Sequence, residues 1–483
     1  MKIMKNILKL TIIASLIVGL FGSCEKDFLD VNDDPNNATE ATAGQIFPAA
    51  TASAAGVIGG NYALAGGIWS QYWTQANASN QYKSFASFNI SPDDLDRFAW
   101  EELYSGALND FKAVREKAST DEDWSYFLMS TVLETYTYQI LVDLYNRIPY
   151  FDALQGADNL NPEFDNGELI YEDLISRING ALAKNLDASS VSNPGAKDFI
   201  FNGDMDQWVR FANTLKLKIY LRQRYANQTV AQDGITDMYN NGAEFLETNA
   251  SMDVFQDADS KSNPFYEMDR RQLNTPNNLR ASETMFNWLE SNSDPRTEYL
   301  YNEAESGGYE AMPQGSHNAS NSQIDPDDIS VVHLEPTDPV IFMSAAESYF
   351  LQAEVAVIYG LGGSAKTLYD NGVMAAFAQY GLDGSSFIAS GGEYEFPASG
   401  TEEDKLQAII TQKWAAMARF QGMEAWTEWR RTGYPDFFVP PQDNALGQGE
   451  FLLRLLFPDS ERRANTNYPS LVPVTVPVWW DKD

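Results

Sequence analysis

The sequence is poor in the residues that usually build disulfides and metal sites. Cys24 is its only cysteine, so no disulfide can form within one chain, and His317 and His333 are its only histidines. The motifs HExxH, P-loop, GxGxxG and GxSxG are all missing. With so few histidines and a single cysteine, the sequence predicts no metal site and no cofactor. It indicates no catalytic residue, although carboxylates are so numerous that some pair will lie at glycosidase spacing by chance. The acidic loops 257–259 and 327–328 could hold structural calcium, but solvated loops are the commoner alternative.

Positive charge is also scarce. The chain has 33 Lys and Arg against 68 Asp and Glu, which gives a formal net charge of −35 at pH 7. A surface of this sign repels nucleic acid, anionic lipid and phosphate-rich substrates. The sequence therefore predicts no nucleic-acid partner. After residue 21, no apolar run approaches the roughly 20 residues of a membrane-spanning helix, so the mature chain is not predicted to cross a membrane.

The N-terminus has the order of a secretory signal. Three lysines precede the apolar run Leu10–Phe21, and the small residues Gly22 and Ser23 stand directly before Cys24. We interpret residues 1–23 as a signal peptide and Cys24 as a lipidation site that anchors the exported chain to a membrane. An ordinary signal peptide with a chance cysteine at its boundary is the alternative. The polar, acidic residues 24–40 are predicted to form an extended tether.

Helical periodicity dominates the rest of the chain, which we interpret as one domain, 41–483. Apolar residues recur at helical spacing within 41–77, 92–118, 121–146, 168–187, 204–227, 343–359, 364–380 and 401–421. Ala365, Tyr369 and Gly372 resemble the small–aromatic–small pattern on the second helix of a TPR unit. The region 230–340 is loop-rich, and the C-terminal 60 residues are predicted to be irregular.

One segment combines aromatic rings with amides in the way that a neutral sugar ligand requires. It contains Trp69, Gln71, Tyr72, Trp73, Gln75, Asn77 and Tyr82. A ring stacks on the apolar face of a sugar, and amides donate to and accept from its hydroxyls. The segment predicts a ligand-binding site in which Trp73→Ala weakens binding without unfolding the protein. A buried helical stripe is the alternative, because Trp69 and Trp73 are four residues apart.

A second candidate site is the polar loop that contains Tyr309, Met312 and Gln314. A solvated loop without a ligand is the favoured alternative there. Further along, Arg430 and Arg431 are predicted to form buried ion pairs rather than an anion site.

Several motifs together resemble those of the SusD/RagB family of lipoproteins, most closely its branch described as starch-binding and associated with the outer membrane. They lie in order along nearly the whole chain, behind Cys24: DFLDVN (27–32), DLYNRIPY (143–150), FNGD (201–204) with ANTL (212–215), DPR (294–296), ESYFLQAE (347–354), WTEWRRTGYP (426–435) and 454–465. Asn146 stands where the family usually has glycine.

The resemblance implies an all-α fold in which TPR-like helix pairs, mainly within 92–227 and 343–421, support an irregular, loop-rich half that binds ligand. It implies a SusC-like TonB-dependent transporter as partner, and a lipid anchor on the outer face of the outer membrane, which Glu25, Lys26 and Asp27 fit as an export signal. Glycan capture without catalysis is the favoured function. The alternatives are a peptide-binding RagB-like lipoprotein, a surface glycoside hydrolase and a TPR adaptor for protein partners.

Overall fold

Helices account for most of the regular structure in the computed structural model, which describes residues 41–191 and 193–481. The predicted signal peptide, Cys24 and the predicted tether lie outside these residues. Within them, the α-helices of six or more residues are Ala43–Val57, Ala63–Trp69, Asn109–Thr120, Trp124–Tyr145, Gly167–Leu182, Met205–Arg222, Gln228–Asn240, Glu283–Ser291, Ala345–Tyr359, Ala365–Ala378, Glu402–Ala416, Gly422–Thr432 and Asp459–Ala464. The predicted all-α class is confirmed.

The remaining elements are short. The α-helical turns of four residues or fewer are Lys83–Ala86, Pro264–Tyr266, Thr297–Leu300 and Ser385–Ile388. The π-helical turns are Ile58–Tyr62, Asp96–Trp100, Leu103–Leu108 and Glu267–Gln272. The 3-10 turns are Gly156–Asp158, Leu186–Ala188, Gly195–Lys197 and Pro326–Asp328. The strands are β1 (Trp73–Gln75), β2 (Arg147–Pro149), β3 (Phe164–Asn166), β4 (Ala250–Met252), β5 (Leu279–Ala281), β6 (Tyr301–Asn302), β7 (Val331–Val332) and β8 (Val340–Met343).

The helix Trp124–Tyr145 lies at the centre of the first group of helices. The Asp123 side chain caps its start by accepting from the backbone N–H of Tyr126, and Asn146, with φ 69°, ends it. It is buried on nearly every side, and its buried residues include the polar side chains of Glu134, Gln139 and Asp143. Asn109–Thr120, Gly167–Leu182 and Met205–Arg222 pack against it.

A second group contains the pair Ala345–Tyr359 and Ala365–Ala378, whose TPR-like packing follows the predicted pattern. Gly360 ends the first helix in the left-handed conformation, and Ser364 caps the second. A Cβ on Gly372 would lie 2.7 Å from the ring of Phe350, so only glycine allows this close approach. Tyr369 packs beside it, with its ring centroid 6.0 Å from that of Phe350.

The segment 41–77 is less regular than its periodicity predicts. The helix that ends at Trp69 is followed by Gln71 with φ 60°, which turns the chain into strand β1. Antiparallel pairing continues through the order β1–β5–β7–β6, so the loop-rich region 230–340 supplies three strands of this sheet. The predicted helix 92–118 is likewise divided into two π-helical turns and Asn109–Thr120.

The helix Gly422–Thr432 forms in the segment that was predicted to be irregular. It crosses the helix Ala63–Trp69 at glycines. A Cβ on Gly66 would collide with the backbone nitrogen of Met423, and a Cβ on Gly422 would collide with the backbone nitrogen of Gly67. Two helices can approach this closely only where both lack side chains. The crossing ties the C-terminal part of the chain to the segment that leads into β1.

Buried ion pairs hold the same helix to the two groups of helices. Arg431 binds Glu354 at 2.7 Å and Glu428 at 2.8 Å, and Lys413 binds Glu428 at 2.8 Å. Arg222 completes the set around Glu428. Burial alone raises the pKa of Glu428, but the three cations hold it well below the usual range. The buried ion pairs predicted for Arg431 are therefore confirmed.

Arg430 behaves differently from its neighbour. Its guanidinium donates to the backbone carbonyls of Asp143 (2.9 Å) and Leu453 (2.8 Å) and lies 3.9 Å from the centroid of the Trp426 ring. Burial lowers its pKa to about 10. Hydrogen bonds and ring contact take the place of the predicted ion pair. Among the described residues, no helix combines the length and apolar character needed to cross a membrane.

Candidate functional site

An open cleft of about 680 Å³ lies in the loop-rich part of the structure. Three separate stretches of chain form it: the helix Glu283–Ser291, the turn at Pro313 and Gln314, and the segment Phe437–Gln442. Its lining residues are Glu283, Thr284, Asn287, Trp288, Ser291, Pro313, Gln314, Phe437, Val439, Pro440 and Gln442. The volume is within the range of about 300–1,000 Å³ that ligand pockets usually occupy.

One wall of the cleft is apolar and firmly supported from behind. Trp288 stacks on Tyr394 with ring centroids 5.3 Å apart and planes 2° apart, and it meets the edge of Trp414 at 5.6 Å. Phe437 contacts the same Trp414 at 5.5 Å and is 37% exposed, while Val439 is 46% exposed. Trp288 is half-buried and Phe437 is exposed, and the buried rings behind them hold both in place, so they present a fixed apolar surface to a ligand.

The helix Glu283–Ser291 supplies the polar wall. Ser282 caps it by accepting from the N–H of Thr284, and the N–H of Glu283 donates to the carbonyl of Met312 at 3.0 Å. Glu283, Asn287 and Ser291 recur every four residues, so they form one row along the helix. Burial raises the pKa of the Glu283 carboxyl above its ordinary value.

Gln71 connects the two walls from beneath. Its Nε2 donates to the carbonyl of Val439 at 2.8 Å, and its Oε1 accepts from the N–H of Val439 at 3.2 Å. The same Oε1 accepts from the Thr284 hydroxyl at 2.6 Å. Gln71 is 2% exposed, so this predicted ligand contact is instead a buried support for the cleft.

The aromatic residues of the same segment lie in the core. Trp69, Tyr72 and Trp73 are 1–2% exposed, and their polar atoms donate to backbone carbonyls of Phe85, Trp414 and Leu64. Rings this deeply buried have no free face on which a sugar could stack. The buried alternative therefore describes them in this structure, and direct contact with a ligand stays a prediction that the structure does not support.

The last three residues of that segment hold nearby loops. The Oε1 of Gln75 accepts from the N–H of Tyr82 at 2.6 Å, and the Tyr82 hydroxyl donates to Asp269 at 2.7 Å. Asn77 donates to the carbonyls of Ala319 and Ile324. None of these three lines the cleft at Trp288 and Phe437.

The second predicted site contributes one residue to the cleft. Gln314 lines it, whereas Met312 is 1% exposed and pairs with strand β5 through its backbone N–H and the carbonyl of Ala281. Tyr309 is partly buried, packs against the core and is not part of the lining. The sequence analysis named Gln314 in a candidate loop, but it did not name the other residues that line the cleft.

The residues that complete the cleft were not predicted. Asn287 and Trp288 lie on the helix that Ser282 caps. That capping residue, followed by polar residues at 283, 287 and 291, is the sequence signal that could have predicted this helix and its polar face. Phe437 lies in the sequence YPDFFVPPQ, where prolines favour an exposed loop.

A second open cleft of about 520 Å³ includes Trp100, Tyr104 and Glu461. Trp100 is 1% exposed and donates its Nε1 to Glu461, and the Tyr104 hydroxyl donates to the carbonyl of Pro149. Its aromatic surface is therefore already used within the protein, and we take the cleft at Trp288 and Phe437 as the candidate site. Across 41–191 and 193–481, no group of three or more His, Cys, Asp and Glu is placed to hold a metal ion.

TPR-like helix pairs with an open, aromatic-walled and amide-lined cleft in the loop-rich half define a helical ligand-binding class of protein. The chain belongs to the SusD-like family described as "Starch-binding associating with outer membrane", which matches residues 35–458. Among curated proteins, none matches the chain significantly.

Solved structures with the same fold span nearly the whole chain. A SusD homolog from Bacteroides uniformis is 24% identical with a TM-score of 0.76, and the match covers 92% of this chain and 100% of that one. A chitin-binding SusD homolog from Flavobacterium johnsoniae is 23% identical with a TM-score of 0.77, covering 90% and 99%. A SusD homolog from Bacteroides thetaiotaomicron is 21% identical with a TM-score of 0.74, covering 92% and 100%.

Proposed function

We propose that this protein is a surface lipoprotein that captures an oligosaccharide in the cleft at Trp288 and Phe437 and delivers it to a SusC-like TonB-dependent transporter. The observation that carries the proposal is the pairing of a supported aromatic wall with a row of hydrogen-bonding side chains across one open cleft. The chitin-binding relative and the description of the family support glycan as the ligand class.

The chemistry of the two walls matches that of a sugar. The rings of Trp288 and Phe437 can cover the apolar face of a pyranose, while the amides of Asn287 and Gln442 donate to and accept from its hydroxyls. Sugars bury little apolar area and give up well-hydrated hydroxyls, so we expect modest affinity. Retention would then depend on delivery to the transporter.

Capture without hydrolysis fits the composition of the cleft. Glycoside hydrolysis generally uses two carboxyl groups on either side of the scissile bond. The lining residues include one carboxylate, Glu283. We therefore propose a binding protein rather than an enzyme, and release of reducing ends from a bound glycan by the pure protein would contradict this.

The test of capture is calorimetry of the purified protein against maltohexaose, cellohexaose, chitohexaose and mannohexaose, with tripeptides as a separate class. We expect one of the glycans to bind and Phe437→Ala to weaken that binding about fivefold. A phenylalanine side chain contributes roughly 1.5–3 kcal/mol when it is fully buried, and about a third of Phe437 is available to the ligand. Phe98→Ala is the matched control, since Phe98 is 67% exposed and lies outside the cleft. Binding of peptides and of no glycan would move the proposal to peptide uptake.

Delivery is tested in the cell. We expect the protein to co-purify with a TonB-dependent barrel from outer membranes and Cys24→Ala to leave the membrane fraction, because the proposed anchor is the lipid on Cys24. Recovery of the wild-type protein in the soluble fraction would contradict the anchor, and co-purification with a barrel in the absence of any ligand binding would favour an adaptor.

A further inference from the structure

Charge is distributed unevenly among the side chains that line the candidate cleft. Of its eleven described lining residues, Glu283 is the one that carries a charge, and none is a lysine, arginine or histidine. Glu283 forms no ion pair with any described residue. A ligand in the cleft therefore meets a carboxylate that has no cationic side chain paired with it.

Thr284 adds a second acceptor beside that carboxylate. Its hydroxyl hydrogen is donated to Gln71 Oε1 at 2.6 Å, so the oxygen has only lone pairs left for a ligand. The Gln71 amide cannot turn to donate to Thr284 instead, because its Nε2 donates to the carbonyl of Val439 and its Oε1 accepts from the N–H of Val439.

Gln314 supports the cleft rather than offering a third acceptor. It is 3% exposed, and its Nε2 donates to the carbonyl of Ile68 at 2.8 Å, which fixes the orientation of the amide. Its Oε1 has no hydrogen-bond partner among the described residues, but it is closed off from solvent, so a ligand in the cleft does not contact it.

The backbone offers the ligand few donors in return. Pro313 and Pro440 have no N–H, the N–H of Val439 is bound to Gln71, and the N–H of Gln442 donates to the carbonyl of Gln314 at 2.8 Å. The side-chain donors left for a ligand are uncharged: the amides of Asn287 and Gln442 and the indole N–H of Trp288. The Ser291 hydroxyl already donates to the carbonyl of Trp288 at 3.0 Å.

We propose that Glu283 and Thr284 form a pair of acceptors that restricts the cleft to glycans with free neighbouring hydroxyls and rejects glycans that carry carboxylate or sulfate groups. This inference rests on the proposed capture of glycan and names its substrate class. Neighbouring hydroxyls donate to the two oxygens. An anionic group at the same place meets the Glu283 carboxylate, and the like charges repel because no lining residue is cationic.

The test uses matched probes that differ at C6, where the oxidised form has a carboxylate in place of the primary hydroxyl. Maltohexaose and cellohexaose are each compared by calorimetry with their C6-oxidised, uronate forms. We expect the oxidised form of the bound glycan to bind the wild-type protein at least a hundredfold more weakly than the neutral form. In Glu283→Gln the gap should narrow about tenfold, because the new amide removes the charge and can donate to the uronate.

Glu101→Gln is the control for overall charge, because it removes one carboxylate at the other cleft. It should leave both affinities unchanged, and the effect of Glu283 should persist in about 0.5 M salt, where exposed charges are screened beyond roughly 4 Å. Equal or tighter binding of an oxidised glycan by the wild-type protein would overturn this inference and leave glycan capture standing. Binding of no neutral or oxidised glycan would overturn both proposals.

Discussion

Replacing Trp73 by alanine distinguishes a core residue from a ligand contact. Trp73 is 2% exposed, its ring centroid lies 5.5 Å from that of Phe265, and its Nε1 donates to the carbonyl of Leu64 at 3.2 Å. A Cβ on Gly67 would collide with the same ring, so the packing on that side has no slack. The substitution removes a large buried ring and leaves the Leu64 carbonyl without its donor.

The expected cost is about 3–5 kcal/mol of the free energy of unfolding, the usual range for a buried tryptophan or phenylalanine changed to alanine. Guanidinium titration followed by circular dichroism measures it as a lower midpoint with little change in slope. Glycan affinity, measured well below that midpoint, should change less than it does in Phe437→Ala.

The pair of variants makes the reasoning refutable. Phe437 is exposed, so its loss should change the free energy of unfolding by no more than about 0.5 kcal/mol while weakening the glycan. If Trp73→Ala abolished binding with an unchanged guanidinium midpoint, the buried interpretation would be wrong, and the original prediction of a ligand contact at Trp73 would stand.

Two other substitutions test the packing beneath the cleft. Glu428→Gln should cost about 3–5 kcal/mol in guanidinium titration because it leaves three buried cations without their shared carboxylate, whereas Glu116→Gln, in the exposed pair with Lys112, should cost less than about 1 kcal/mol. Because folding lowers the pKa of Glu428, its contribution to the free energy of unfolding is present above the unfolded pKa of about 4.3 and is lost as pH falls through the folded pKa. If Glu428→Gln lowered the free energy of unfolding equally at pH 7 and in strong acid, this assignment would be contradicted. Gly66→Ala should cost about 1–3 kcal/mol by forcing two helices apart, while Gly180→Ala, with open space around it, should gain roughly 0.5–1 kcal/mol; equal melting shifts of the two variants would refute the glycine crossing.

Local periodicity was sufficient to predict the long helices. Trp124–Tyr145, Ala345–Tyr359 and Ala365–Ala378 lie close to their predicted bounds, because their apolar residues recur at helical spacing and capping residues mark their starts. The Gly372 and Tyr369 pattern also predicted how the last two helices pack. These features depend on residues that are near one another in the chain.

Features set by distant partners were not predictable in the same way. Gln71 adopts φ 60° where its amide pairs with Val439, more than 360 residues away, and nothing local marks that turn. The helix Gly422–Thr432 carries charges that are buried only because Glu354, Lys413 and Arg222 come from other helices. Local spacing predicted neither the turn at Gln71 nor the helix Gly422–Thr432, although the buried ion pairs of Arg431 were predicted.

The location of a ligand site was hard to predict for a related reason. A stretch rich in aromatic rings and amides is typical of a sugar site and also of a core with satisfied polar groups, so composition around Trp69 and Trp73 could not separate the two. The cleft is assembled from segments near 283–291, 313–314 and 437–442, and Gln314 was the one member that the loop pattern indicated. The burial of Trp69 and Trp73, which the sequence does not give, favours the core interpretation.

The division between buried support and exposed lining has an evolutionary consequence. Gln71, Trp414 and Tyr394 hold the cleft from within, while Asn287, Phe437 and several neighbours face solvent and contribute little to folding. Substitutions at such exposed positions usually change stability by less than about 0.5 kcal/mol. A duplicated copy of the gene could therefore acquire a new ligand through a few changes along the cleft, with no compensating mutation required in the core.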